Sequence, residues 1–194
     1  MIACGALAGH IRDIVARRGW PVAVHALPAV LHNRPQQITP MAERAVCHAL
    51  ANGHRVALAY ADCGTYGALD ELCVTYGIRR LPGLHCYDLF AGPARLAAMF
   101  DAEPGTYVLT DFLLRGFDRL VLASLGLDKY PELWPDYFGH YRRLVWLAQE
   151  PAASADSAAL EAAAARVAAL FGLPLTRVDT GVSRLERELA ELVS

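Results

Sequence analysis

Cysteine and histidine side chains gather at the points where predicted strands end. Cys4, His32, Cys63, His85 and Cys86 all lie in such turns. In parallel sheets the carboxyl ends of the strands share one edge, and ligands bind there. Thiolate and imidazole are the ligands that zinc prefers and that iron also accepts. We therefore expect a site for one soft metal ion, zinc or alternatively iron, with Cys63, His85 and Cys86 as ligands and Cys4 or His32 as a fourth.

Further polar groups in the same turns are candidates for catalysis and substrate binding. His85 and Asp111 are the candidate groups for proton transfer, and Asp62 or Asp111 is placed to orient an imidazole. Arg34 has the planar fork that clamps a carboxylate or phosphate, although a surface cation is the alternative. An N-cap is the alternative for Asp111. The predicted substrate-binding set consists of Asn33, Arg34, Asp62, Gly64, Thr65 and Tyr87.

The same residues allow an interpretation without metal. Cys63 or Cys86 would then be a nucleophile activated by His85. Cys47 and Cys73 fall inside predicted helices, so we assign both to packing. His85 and Cys86 are adjacent, and adjacent residues bind one ion only in irregular backbone or a first helical turn. One of the two is therefore also a candidate for facing the substrate.

Short apolar runs alternate with helical patterns along the whole chain. About seven strands are predicted, and such alternation favours a mostly parallel, doubly wound, Rossmann-like α/β sheet with helices on both faces. We treat residues 1–194 as one domain, with a candidate sub-unit boundary near 150–157 and a small C-terminal βαβα extension. The predicted strands are Met1–Cys4, Pro21–Leu27, Arg55–Ala61, Ile78–Leu81, Thr106–Leu109, Arg143–Gln149 and Leu175–Val178.

Composition excludes several classes of protein. The 194 residues are 55% hydrophobic and 20% charged with a net charge of −2, which fits a compact globule and gives no basic surface for nucleic acid. No signal peptide and no apolar run of about 18 residues is present, so we expect a cytoplasmic protein that does not enter a membrane. Five cysteines in such a chain indicate reduced thiols or metal ligands. A homodimer is the default expectation for its assembly.

Five of the turns together resemble a known family. The stretches Ala3–Gly5, Leu31–Pro35, Tyr60–Gly64, His85–Gly92 and Gly105–Phe112 resemble the bacterial and archaeal family called domain of unknown function 1638 (DUF1638). The resemblance covers roughly residues 1–180 and implies a role near corrinoid-dependent methyl transfer from methylamines and betaines. A corrinoid protein or a methyltransferase is then the implied partner. The Asp-x-His-x-x-Gly stretch of corrinoid carriers is missing, so we do not expect this chain to carry the corrinoid.

Three functions remain open from the sequence. The first is a metal-dependent transferase or lyase of one-carbon metabolism whose ion keeps an open position. The second is a non-catalytic metal-binding accessory protein of a methyltransferase, with a closed set of four protein ligands. The third is a metal-free small-molecule binder with a reactive cysteine.

Overall fold

The computed structural model describes all residues 1–194 and divides the chain into two compact units. The first unit comprises Met1–Leu89 and Val182–Ser194, and the second comprises Phe90–Gly181. Each unit holds a three-stranded, fully parallel sheet with flanking helices. The predicted α/β class with parallel strands is therefore confirmed, although the strands form two sheets. The segment 150–157, predicted as a sub-unit boundary, lies inside the second unit.

The sheet of the first unit has the strand order β2-β1-β3. Strand β1 is Ile2–Cys4, β2 is His25–Leu27 and β3 is Leu58–Ala59. The predicted strand Ile78–Leu81 is reduced to a single bridge between Leu58 and Arg80, which makes it the one predicted strand that does not form. Four helices complete this unit: α1 (Ala8–Arg18), α2 (Ile38–Ala51), α3 (Ala68–Tyr76) and α9 (Ser183–Val193).

The core of the first unit forms because β1 and β3 are apolar in every position. Both strands are covered on each face, and Cys4, Leu58 and Ala59 have no exposed surface. Helix α9 contributes Leu185, Leu189 and Leu192, whose spacing predicts one buried helix face, and all three are buried.

The second unit has the strand order β4-β5-β6. Its strands are β4 (Thr106–Thr110), β5 (Arg143–Ala148) and β6 (Leu175–Asp179), and β5, the central strand, is buried along nearly its whole length. Its helices are α5 (Pro93–Ala102), α6 (Asp111–Arg115), α7 (Trp134–Phe138) and α8 (Ser157–Phe171), with a π-helical turn at Asp118–Ala123. The short helix α4 (Asp88–Ala91) lies where the chain passes from the first unit to the second, and the predicted break at Gly92-Pro93 separates it from α5.

Aromatic side chains fill the core of the second unit. Phe138 and Phe171 have ring centroids 4.9 Å apart, and Trp134 lies 4.6 Å from Phe138. Tyr107 of β4 packs edge-on against Tyr141 at 5.0 Å. The aromatic density near Tyr130–Tyr141 thus serves mainly to build this core. None of the helices in either unit has the length and apolar character that crossing a bilayer requires.

Candidate functional site

Three of the predicted ligands belong to the carboxyl-terminal edge of the first sheet. Because β1 is the central strand, its end is flanked by the segments that follow β2 and β3. Cys4 is the last residue of β1, His32 lies in a 3-10 helix (Ala29–Asn33) after β2, and Cys63 follows β3 by four residues. The rule that parallel strands deliver their ligands to one edge therefore applies to this sheet.

Gly5 permits the close approach between the ends of β1 and β2. A Cβ atom at Gly5 would lie 2.5 Å from the carbonyl oxygen of Leu27 and 2.8 Å from the backbone nitrogen of Ala29. No side chain fits there, so any larger residue forces the two segments apart. The missing side chain lets the 3-10 helix lie beside Cys4.

One contact of the site joins Cys4 to His32. Cys4 Sγ lies 3.7 Å from His32 Nε2. On the other side of the ring, His32 Nδ1 lies 2.9 Å from the carbonyl oxygen of Ala29, where it donates a hydrogen bond. That bond fixes the ring orientation and points Nε2 at the sulfur.

The loop that carries Cys63 is organised by the carboxylate of Asp62. Its two oxygens accept hydrogen bonds from the backbone N–H groups of Gly64, Tyr66 and Gly67 and from the Thr65 hydroxyl, at 2.8–3.2 Å. Burial alone would raise the pKa of Asp62, but these hydrogen bonds outweigh it and lower the pKa.

Four of the five residues 63–67 have positive φ angles. Two of them are not glycine, Cys63 at 52° and Tyr66 at 53°. Non-glycine residues rarely adopt this left-handed conformation, so the Asp62 network must stabilise it.

A second loop brings Cys86 to Cys63. The backbone N–H of Cys63 donates to the carbonyl oxygen of Leu84 at 2.8 Å. The buried carboxylate of Asp88 accepts hydrogen bonds from the N–H groups of Leu84 and His85, at 2.8 and 3.1 Å, and thereby fixes the turn that holds Cys86. Each cysteine loop is thus held by its own buried aspartate.

The thiols and the imidazole influence one another's protonation. A hydrogen bond from the Cys86 thiol, together with the hydrogen bond and charge of His32, lowers the pKa of Cys63 to about 5 against the opposing effect of burial. Burial by itself lowers the pKa of His32, but hydrogen bonds and charge interactions with Cys4 and Cys63 raise it to about 11. The hydrogen bond to Cys63, together with burial, raises the pKa of Cys86. The cluster therefore favours a Cys63 thiolate paired with a His32 imidazolium.

The structure adds one residue that the sequence did not single out. Tyr60 directly follows β3, is fully buried, and has a hydroxyl group without any hydrogen-bond partner. Burial raises its pKa, and the charges of Cys4, Cys63 and Cys86 raise it further. The available signal was a tyrosine among the aliphatic residues at the end of the predicted strand Arg55–Ala61, three residues before Cys63.

Other predicted site residues lie elsewhere. His85 is exposed and stacks on Tyr87 with ring centroids 6.4 Å apart, so its side chain is outside the cysteine cluster. Asn33 and Arg34 are exposed at the end of the 3-10 helix. Asp62, predicted to orient an imidazole, instead holds its own loop, in which Gly64 and Thr65 are among its donors.

Asp111 belongs to the second unit, where its carboxylate stabilises the structure by hydrogen bonds. Its fully buried carboxylate accepts hydrogen bonds from Trp146 Nε1 at 2.7 Å, from the Gln149 N–H at 3.0 Å and from the Glu150 N–H at 2.7 Å. These bonds tie the start of α6 to the end of β5.

The two helical cysteines differ from each other. Cys73 is buried, as predicted. The assignment of Cys47 to packing is wrong, because Cys47 is exposed and its thiol donates to the Tyr76 hydroxyl at 3.2 Å. Neither cysteine takes part in the cluster.

The side chains of the cluster are neighbours without forming a preassembled metal centre. No group of three or more His, Cys, Asp or Glu side chains has the arrangement that would hold an ion. We refer to Cys4, His32, Cys63 and Cys86 as the thiol–imidazole cluster.

Comparison with known proteins gives one match. No curated protein and no solved structure matches the chain. The model of a family described as a protein of unknown function (DUF1638) matches residues 26–189, which include His32, Cys63 and Cys86. Since this match covers well over half of the chain, the protein belongs to the DUF1638 family.

Proposed function

We propose that the thiol–imidazole cluster binds one soft metal ion, zinc or alternatively iron. The observation that carries the proposal is the 3.7 Å separation of Cys4 Sγ and His32 Nε2. Zinc bound to sulfur at about 2.3 Å and to nitrogen at about 2.0–2.1 Å in tetrahedral geometry separates these two atoms by about 3.6 Å. The hydrogen bond from His32 Nδ1 to Ala29 directs the other ring nitrogen to the ion, as in most histidine-ligated zinc sites.

The donor set also fits such an ion. Three sulfurs and one imidazole nitrogen are soft ligands, which favour zinc or iron over magnesium or calcium. The cluster already stabilises a thiolate at Cys63. Binding requires the side chains to turn toward a common point and His32 to give up the proton on Nε2.

The chemistry that this ion supplies is the stabilisation of a nucleophilic thiolate at neutral pH. A thiolate is a good acceptor for an alkyl group. We therefore propose that the protein is a metal-dependent transferase or lyase of corrinoid-linked one-carbon metabolism, with a corrinoid protein or a methyltransferase as its partner. The proposed contacts of the substrate are the exposed residues His85, Asn33 and Arg34 and the half-buried Tyr87.

Elemental analysis of the purified protein tests the metal proposal. We expect close to one equivalent of zinc or iron in the wild-type protein and loss of most of it in Cys63→Ser. Cys47→Ser is the matched control, because Cys47 is an exposed thiol outside the cluster, and it should retain the metal. A wild-type protein without metal, or equal metal content in the two variants, would refute the proposal.

The alternative to an enzyme is an accessory protein with a closed site. If all four groups bind the ion and no exogenous ligand exchanges, the protein stores or senses metal for its partner. Cobalt substitution distinguishes the two, because an added thiol changes the visible spectrum only when it can reach the ion.

A metal-free thiol enzyme is the second candidate function, and the Cys63–His32 pair favours it. The lowered pKa of Cys63 and the raised pKa of His32 describe a thiolate–imidazolium pair of the kind that activates nucleophilic cysteines. Under this candidate the protein contains no metal, and Cys63 alone reacts rapidly with alkylating agents. Under the metal proposal, zinc protects Cys63 from the same reagents.

A further inference from the structure

A groove in the second unit has arginines at half of its lining positions. It has a volume of about 310 Å³ and lies between α8 and the segment that begins at the end of α6. Its lining consists of Arg115, Gly116, Phe117, Asp118, Arg119 and Arg166. Three arginines against one aspartate give the lining a net charge of +2. A concave surface with this charge attracts an anion. We refer to it as the arginine groove.

Two of the three guanidinium groups are oriented by carboxylates and still have unused donors. Arg115 Nη2 lies 3.0 Å from Asp156 and 3.8 Å from Glu150, and Arg166 Nη1 donates to Asp118 at 2.9 Å. A guanidinium group carries five N–H donors on three nitrogens. Nε and Nη1 of Arg115, and Nε and Nη2 of Arg166, take no part in these ion pairs. An anion in the groove can therefore bind both arginines without displacing their carboxylates.

Arg119 is the arginine of the groove that has no carboxylate partner. No hydrogen bond or ion pair joins its side chain to the rest of the chain. It follows Arg115 by four residues, which is the spacing of side chains on one side of a helix. It also lies in the π-helical turn Asp118–Ala123, and such turns occur frequently at functional sites. An anion between these arginines supplies the partner that Arg119 lacks.

Phe117 gives the groove a fixed apolar floor. Its side chain is buried and packs edge-on against Phe171 of α8, with ring centroids 6.1 Å apart. The ring offers no hydrogen-bond partner, so the polar atoms of a ligand must meet the arginines. An apolar floor also excludes water from one side of the site, which strengthens the attraction between the guanidinium groups and an anion.

We propose that the arginine groove binds a small anion that carries one or two phosphate groups. The planar fork of a guanidinium group matches two oxygens of a phosphate. Three arginines offer more donors than the two oxygens of a single carboxylate can accept, whereas phosphate groups supply further oxygens. The chain has a net charge of −2 and no basic excess, which favours a small anion over a nucleic acid. The groove contains no residue of the thiol–imidazole cluster, so this inference stands apart from the metal proposal.

Isothermal titration calorimetry of the full chain with inorganic pyrophosphate tests the inference. We expect one saturable site in the wild-type protein and a Kd raised about tenfold or more in Arg119→Gln, as for the loss of hydrogen bonds to a charged group. The fold should be unaffected, because the Arg119 side chain is exposed and has no partner in the chain. Arg12→Gln is the matched control. It removes the same charge from an exposed, unpaired arginine of α1 in the first unit and should leave the Kd unchanged.

NMR signals of the arginine Nε–H groups locate the bound anion. Pyrophosphate should shift the signals of Arg115, Arg119 and Arg166 and leave that of Arg12 in place. Glutarate, which carries two carboxylates, should bind more weakly than pyrophosphate.

Three results would overturn the inference. The first is the absence of saturable pyrophosphate binding to the wild-type protein. The second is an equal effect of Arg119→Gln and Arg12→Gln on the Kd, which would show attraction by net charge alone. The third is glutarate binding as tight as that of pyrophosphate, which would show that the groove does not select phosphate.

Discussion

The carboxylate of Asp62 should account for much of the stability of the Cys63 loop. It accepts four hydrogen bonds from residues 64–67, and it holds Cys63 and Tyr66 in the left-handed region. Each of these two residues costs about 1–2 kcal/mol in that conformation. Removing the acceptor in Asp62→Ala leaves three backbone N–H groups that must form hydrogen bonds with water instead. We expect a loss of about 2–4 kcal/mol in the free energy of unfolding, measured by urea denaturation.

The same variant has a defined pH dependence. Since the pKa of Asp62 is lowered by folding, its carboxylate stabilises the fold above the ordinary value of about 3.8, and this contribution is lost as the pH falls through the lowered pKa of the folded state. The difference between wild type and Asp62→Ala should therefore be full at pH 7 and shrink below about pH 4.

Asp70→Ala is the matched control for Asp62→Ala. Asp70 is an exposed aspartate that forms an ion pair with Arg80 in the same unit, and its loss should cost less than about 1 kcal/mol. Amide hydrogen exchange at Gly64, Tyr66 and Gly67 should accelerate only in Asp62→Ala. If Asp62→Ala costs no more than Asp70→Ala, or if these amides exchange as in the wild type, the loop does not depend on this carboxylate.

Three further predictions concern other features of the structure. Gly5→Ala should destabilise the protein by about 2 kcal/mol or more in urea unfolding and lower its metal content in elemental analysis. Its control is Gly9→Ala in α1, where a Cβ meets no atom within 4 Å and the substitution should stabilise the protein by about 0.5–1 kcal/mol. Asp111→Asn should cost about 2–4 kcal/mol and alter the fluorescence of Trp146 without changing the metal content, and a loss of metal would contradict its structural role. In metal-free protein, alkylation of Cys63 by iodoacetamide should remain fast at pH 6 and slow as the pH falls through about 5; a rate that rises only above pH 8 would show an ordinary thiol.

The rule that ligands lie at the carboxyl ends of parallel strands identifies the members of the cluster, but it does not predict the direction in which each side chain points. The turns after β1, β2 and β3 contain Cys4, His32 and Cys63, and the topology brings them together. His85 and Cys86 are neighbours in one turn, and their orientation depends on the hydrogen bonds of Asp88. A carboxylate that binds backbone N–H groups leaves no periodic signal in the sequence, so His85 could not be recognised as the exposed member of the pair.

The sequence pattern also does not predict that the strands divide into two sheets. Alternation of strands and helices predicts parallel pairing but not which strands share a sheet. The predicted strand Ile78–Leu81 would have extended the first sheet, yet only Arg80 forms a bridge. Tyr60 shows a related limit: hydrophobicity marks it as a core residue, and a sequence pattern does not tell whether a buried hydroxyl has a partner.

Helix α9 joins the two ends of the chain in one core. The first unit needs Leu185, Leu189 and Leu192 for its core, and Arg79 Nη2 donates to the carbonyl oxygen of Leu192 at 3.1 Å. These residues leave the ribosome only after the whole of residues 90–181 has been made. The second unit is continuous and can fold as it emerges. The core that surrounds Cys4 is therefore completed only by the last residues to be synthesised.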